Sequence, residues 1–160
     1  LKPVNYHYID NINKCPQMQC GFIAQDIEHI FPNTMRISAD YIPNILDDAF
    51  YLTDSSYNKI IQFVDFDTNH LELDASGNFY SQIYLFDEND KIYSSITISK
   101  IISSHSVQIE TDEELTPNIF VYGQHIDNLK TLDYNHIFMT FASAMKEVDA
   151  QLQNLSLIHI

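Results

Sequence analysis

Between about Tyr51 and Tyr122 apolar and polar residues alternate in short runs broken by turn signals, and this two-residue rhythm limits the fold more than anything else in the chain. Lys59 to Asp67 is β-branched and aromatic. From Phe79 to Phe86, one face carries Phe79, Ser81, Ile83 and Leu85, and the other Tyr80, Gln82, Tyr84 and Phe86. Asp87-Glu88-Asn89-Asp90 reads as a hairpin turn before Ile92 to Ile102, and His105 to Glu110 and Asn118 to Tyr122 complete about five strands. Further turn signals lie at Asp74 to Asn78 and Thr116 to Asn118. Short, evenly spaced antiparallel strands predict a small barrel or sandwich.

The two ends follow other rhythms. Val4, Tyr6 and Tyr8 alternate as a half-buried strand, and a polar turn covers Asp10 to Gln19. A short helix is predicted next, with Ile23, Ile27, Ile30 and Phe31 on one face and Pro32 as its stop. The last zone is a helix N-capped by Asp133. Its apolar residues, Tyr134, Phe138, Phe141, Met145, Val148, Leu152 and Leu155, follow one another at alternating steps of four and three. That is the a/d spacing of a coiled-coil seam, narrower than the stripe of a helix docked on its own domain. It predicts self-association, with docking on the β-layer as the other reading. The mixed seam does not set an oligomer number.

The expected fold class is therefore α+β: short strands and a helix at the N-terminus, a small antiparallel β insert and a long C-terminal helix. The expected divisions are a core segment at 1–50, the insert at 51–122, a closing core segment with the oligomerisation helix at 123–154, and a tail at 155–160. Leu155-Ser156-Leu157-Ile158-His159-Ile160 reads as non-native.

Composition removes whole classes of function. The 160 residues include 8 Lys+Arg against 22 Asp+Glu, a net charge of −14 with neutral histidines. Nucleic acid and anionic membrane surfaces, which need basic patches, are not expected partners. No apolar run approaches the ~20 residues of a membrane span. The start, Leu1-Lys2-Pro3-Val4, shows neither initiator Met nor signal peptide, so a fragment of a longer chain is expected. Three glycines leave no phosphate-cradling loop.

Other candidate sites weaken one by one. Asp65-Phe66-Asp67-Thr68-Asn69 resembles the opening of a calcium loop, but its sixth position is His70 and its twelfth Ser76. Ser56-Tyr57-Asn58-Lys59 has Ser-x-x-Lys spacing without the supporting elements of that chemistry. The seven histidines show no helical zinc spacing, and Cys15 and Cys20 read as free thiols flanking a turn. Asn154-Leu155-Ser156 is a glycosylation sequon without a secretory context. No catalytic residue, metal ligand or cofactor is assigned.

Two stretches carry a resemblance. Leu1-Lys2-Pro3-Val4-Asn5-Tyr6, Gly21-Phe22-Ile23-Ala24-Gln25-Asp26-Ile27-Glu28 and Phe31-Pro32 resemble the S74 peptidase domain, the intramolecular chaperone of phage tailspikes and endosialidases. Thr131-Leu132-Asp133-Tyr134-Asn135-His136-Ile137-Phe138, with Ala144, Glu147 and Val148, is similar to that family's closing helix. The β zone is longer than in phage members, a layout like that of giant-virus members.

The resemblance implies a homotrimer with a trimeric coiled coil along Tyr134, Phe138, Phe141, Met145, Val148 and Leu152. It implies a chaperone that assists the folding of an N-terminal fibre in its own polypeptide, in a virion or in host cytoplasm during assembly. Release then follows by Ser/Lys autoproteolysis. The dyad is expected before Leu1, so this chain alone is expected to be inactive, and Lys2 is not the base. Gly21, Phe22, Ile23, Ala24, Gln25, Asp26, Asp133 and Tyr134 are the motif residues, with Phe22 and Ile23 expected in the core. Two rival readings are a permanent structural or adhesin domain at a fibre tip and a membrane-bound, self-cleaving transcription factor. The second would need a DNA-binding region upstream and a spanning helix downstream.

Overall fold

Alternation of apolar and polar residues underlies most of the nine strands among the described residues, and helix appears where that alternation gives way. In chain order they are β1 (Val4–Tyr6), β2 (Gln19–Gly21), α1 (Ala24–Glu28), β3 (Met35–Ile42), β4 (Asp47–Thr53), β5 (Lys59–Phe63), β6 (Gln82–Asp87), β7 (Ile92–Ser103), β8 (Ser106–Glu110), β9 (Asn118–Leu132) and α2 (Tyr134–Ile158). The structure, a computed structural model, describes residues 2–10 and 14–158. Leu1 of the first motif segment, Asn11 to Asn13 of the polar turn, and His159 and Ile160 of the tail lie outside the described residues.

The chain divides into two units. One comprises Leu1–Tyr8, Lys14–Ser38 and Leu129–Ile160; the other comprises Ile9–Asn13 and Ala39–Asn128. The second unit is built on a seven-stranded sheet in the order β3-β9-β4-β5-β8-β7-β6. β9 pairs with β4 through Ala49↔Ile119 and with β6 through Phe86↔Phe120, so six antiparallel strands close on themselves as a barrel. A closed sheet leaves no unpaired edge around its circumference.

Inward positions fill the barrel. Ile61, Ile83, Leu85, Ile96, Val107 and Val121 are fully buried, with Ile98, Ile109 and Ile119 close behind. Each such side chain contributes roughly 1.5–3 kcal/mol on leaving water. One inward position is polar. Gln124 is fully buried, and its Oε1 accepts from Asn44 Nδ2 and from the Glu72 amide, both at 2.7 Å. Its Nε2 donates to the Tyr80 carbonyl at 2.6 Å, and its own amide donates to Asn44 Oδ1 at 2.9 Å. The network is complete, which is the condition for a buried amide to be tolerated.

Three tight loops share one device. In each an aspartate Oδ1 accepts the amides two and four residues on: Asp54 from Ser56 and Asn58, Asp74 from Ser76 and Asn78, Asp87 from Asn89 and Lys91, all at 2.8 or 2.9 Å. The fourth residue of each, Tyr57, Gly77 or Asp90, takes a left-handed φ of 62°, 84° or 59°. This is the turn-plus-bulge connection of a three-residue hairpin loop.

The expected α+β class with a trimeric coiled coil is corrected. Strands account for 43% of the structure and helices for 22%, so the fold is mostly β. β4 and β9 run through the segments expected as core, and β3, whose residues are mostly exposed on both faces, gives no alternation to read. α2 is the one long helix, and α1 has five residues, so no coiled coil forms among the described residues. The a/d spacing misled because any helix with a narrow apolar stripe displays it, and this seam is mixed, with leucine only at Leu152 and Leu155.

The buried amide gives a direct test. Gln124→Leu keeps the volume but strands Asn44 Nδ2, the Glu72 amide and the Tyr80 carbonyl. It should lower stability by about 2–4 kcal/mol in urea denaturation, more than Ile83→Val, at about 0.5–1.5 kcal/mol.

Candidate functional site

The two motif stretches, far apart in sequence, meet in the first unit. β1 and β2 form a hairpin-like pair with Val4↔Gly21 and Tyr6↔Gln19 in register. Phe22 and Ile23 follow β2, and Ala24, Gln25 and Asp26 form the first turn of α1, whose Ile27 is fully buried. Ile23 and Ile30 are exposed and Phe22 is half-buried, so the core position of this segment is Ile27 and not Ile23. A 3₁₀ turn at Pro32–Thr34 then delivers the Thr34 carbonyl to the Asp133 amide at 2.8 Å.

Asp133 and Tyr134 fasten this arrangement. Asp133 Oδ1 accepts the amides of Asn135 at 3.1 Å and His136 at 3.3 Å, capping α2 as its sequence predicts. Its Oδ2 receives the guanidinium of Arg36, the only arginine in the chain. Beside it, Lys130 Nζ donates to Glu28 Oε2 at 2.6 Å. The Tyr134 hydroxyl accepts the Phe22 amide at 3.4 Å and lies 2.6 Å from where a Cβ on Gly21 would sit. Any larger residue at 21 must displace a tyrosine hydroxyl 113 positions later, which occupies the side-chain space.

Charge holds the clasp in register. The His136 amide, and with it the Arg36 guanidinium, pulls the Asp133 carboxyl below the ordinary carboxylate range. Lys130 does the same for Glu28. Both contributions are present above the ordinary carboxylate range and are lost as pH falls through the lowered values. The pairs are solvent-exposed, so they set geometry more than they add stability. Near them the Tyr6 phenol, hydrogen-bonded to Tyr8, is pushed up to about 12. An open depression of about 380 Å³ is lined by Arg36, Thr131, Leu132, Asp133, Tyr134 and Asn135. That lining contains no lysine or histidine to serve as a base.

Arg36, Thr34, Lys130 and Glu28 were not legible as site residues in the sequence. The scarcity of cations was the available signal, since each lysine or arginine meets many possible acids. Along α2, Ile137 is buried, whereas Phe138, Phe141, Met145, Val148 and Leu152 are exposed, Met145 at 74%. Among the described residues no group of three His, Cys, Asp or Glu side chains gathers to hold a metal. Asp67, of the calcium-like run, caps the 3₁₀ turn Thr68–His70 by accepting the Asn69 amide. Lys59 donates to the Thr111 carbonyl, while the Ser56 amide is held by Asp54. Cys15 and Cys20 are free and exposed.

Comparison with known proteins adds two findings. The model of the Peptidase_S74 family, described as chaperone of endosialidase, matches residues 1–36; Thr131 to Val148 lies outside that match. An uncharacterised protein VP1 of Micromonas pusilla reovirus is 27% identical to the chain, over 96% of the chain and 10% of the relative. The chain thus spans a tenth of the length of the curated relative it matches. No solved structure matches it. The matched segment includes Gly21, and its contact with Tyr134 can be measured. Gly21→Ala should displace the tyrosine hydroxyl and cost about 1 kcal/mol or more in denaturant unfolding. In a Tyr134→Phe background the same change should cost less, a non-additivity that two independent sites would not show. Residues 1–36 thus resemble the Peptidase_S74 family, chaperone of endosialidase, in a chain similar along nearly its whole length to a viral protein.

Proposed function

We propose that this chain is a chaperone-like domain of a viral protein, which associates as a homotrimer and assists the folding of an N-terminal fibre or tailspike segment of its own polypeptide. Release by Ser/Lys autoproteolysis at a site preceding Leu1 completes the cycle, in the virion or in host cytoplasm during assembly. The observation that carries this reading is the clasp: the segment that matches the S74 family is fastened to the first turn of a 25-residue helix whose Phe138, Phe141, Met145, Val148 and Leu152 side chains face solvent.

The physical logic is one of concentration. Chains in an intertwined fibre must be aligned before non-local contacts can repay the entropy of closing long loops. A module that associates first holds the remaining segments at high effective concentration. The exposed side chains of α2 are the surface assigned to that association. Met145→Glu with Val148→Glu should leave the helix intact by circular dichroism, because both side chains are exposed. Sedimentation should then fall from the trimer to the monomer mass. A doubly charged variant that stays trimeric removes α2 from the interface.

Cleavage is tested with a longer gene product that includes the sequence upstream of Leu1. Expression should yield two fragments on denaturing gels, with substitution of the upstream serine giving one intact chain. A wild-type product that survives whole supports instead the permanent structural or adhesin domain at a fibre tip.

A further inference from the structure

The outer wall of the barrel carries a feature that neither folding assistance nor release uses. β4, β9, β6 and β7 place Asp48, Phe120, Phe86 and Ile92 side by side, each in register with the next. Their sequence neighbours Ala49, Ile119, Val121 and Leu85 point inward, so this row faces out. The rings of Phe86 and Phe120 are 6.3 Å apart between centroids and tilted by 46°, which leaves a notch between them. An open cavity of about 260 Å³ sits there, lined by Phe86, Asp87, Asp90 and Phe120.

We infer that this notch docks an arginine side chain of a partner polypeptide. A guanidinium is planar, weakly hydrated and attracted to the face of an aromatic ring, and it forks onto carboxylates. The notch offers both elements. Asp90 lines the notch in a left-handed turn conformation, and among the described residues no hydrogen bond or ion pair reaches its carboxylate or that of Asp48, which stands next to Phe120 in the row. Lys91, one residue past Asp90, is taken up by Glu113 and the Tyr93 ring and does not neutralise the notch. An anionic or purely apolar partner would meet the carboxylate of Asp90 in the notch and that of Asp48 beside Phe120. The proposal is independent of the chaperone reading and stands or falls on binding alone.

The test titrates the isotope-labelled full chain with acetyl-Gly-Arg-Gly-amide and reads chemical shifts. Its counterpart with citrulline, equal in shape and uncharged, is the first control. Shifts should centre on Phe86, Asp90 and Phe120, and the citrulline peptide should bind at least about tenfold more weakly. The exposed acidic stretch Glu110, Asp112 and Glu113 lines another depression, without aromatic rings, and serves as an internal control. Asp48→Asn with Asp90→Asn should leave the spectrum otherwise intact and weaken the arginine peptide about fivefold or more. Equal binding of citrulline, equal shifts at Glu110 to Glu113, or no loss in the double variant overturns the proposal. A lysine peptide that binds as tightly as the arginine one overturns the assignment to a guanidinium.

Discussion

Closure of the barrel depends on a single strand. β9 hydrogen-bonds to β4 on one edge and to β6 on the other, and without it the remaining strands would form an open sheet with two exposed edges. Its sequence meets both requirements at once. Ile119 and Val121 face the core, Phe120 and Tyr122 face outward, and at Gln124 the inward position turns polar. That glutamine joins three segments not paired there as strands, through Asn44, Glu72 and Tyr80. Register is thereby specified by hydrogen bonds as well as by apolar packing, since a slip of one residue would expose the valine and isoleucine and pull the Gln124 amide away from Asn44, Glu72 and Tyr80.

The acidic composition is easier to understand once the loops are seen. Asp54, Asp74 and Asp87 each hold two backbone amides of a hairpin loop, and each carboxyl is held below its ordinary range. The Asn58 side chain and amide act on Asp54, and the Asn78 amide leads at Asp74. For Asp87, burial pushes upward, but the amides of Lys91 and Asn89 and the Tyr93 hydroxyl outweigh it. A lowered carboxyl stabilises the fold above the ordinary carboxylate range and ceases to do so as pH falls through its lowered value. Three of the 22 acidic residues thus hold loops in shape, and their charge says little about partners. What remains informative are carboxylates with no such duty, and Asp48 and Asp90 are two of them.

Legibility in the sequence followed locality. The alternation of β6, the turn at Asp87 and the cap at Asp133 each depend on a few neighbouring residues, and each was readable. β3 was not, because its residues are mostly exposed and its pairing is with a strand some eighty residues later. The second half of β9, Gln124 to Leu132, is polar enough to pass for loop, and it is strand because its neighbours satisfy its backbone. The a/d spacing of α2 was read correctly as a stripe and wrongly as a coiled coil, since a stripe identifies a face and not its partner. Gly21 was recognisable as part of a motif. Its physical reason, the Tyr134 hydroxyl, has no local signal at all.

The separation between those two residues has a consequence for when the segment around Gly21 can be secured. The first unit is discontinuous, and its third part, Leu129–Ile160, supplies Lys130, Asp133 and Tyr134. Until that part has been synthesised, the Arg36 guanidinium, the Thr34 carbonyl and the Phe22 amide lack the partners they have in the folded chain. Closing a loop of more than a hundred residues is entropically unfavourable, and the barrel reduces that penalty because most of the loop is folded within it. The same barrel that lengthens the chain between the two motif stretches therefore makes their meeting feasible. Because its second half lies at Lys130, Asp133 and Tyr134, the clasp cannot be complete until the chain has been made as far as α2.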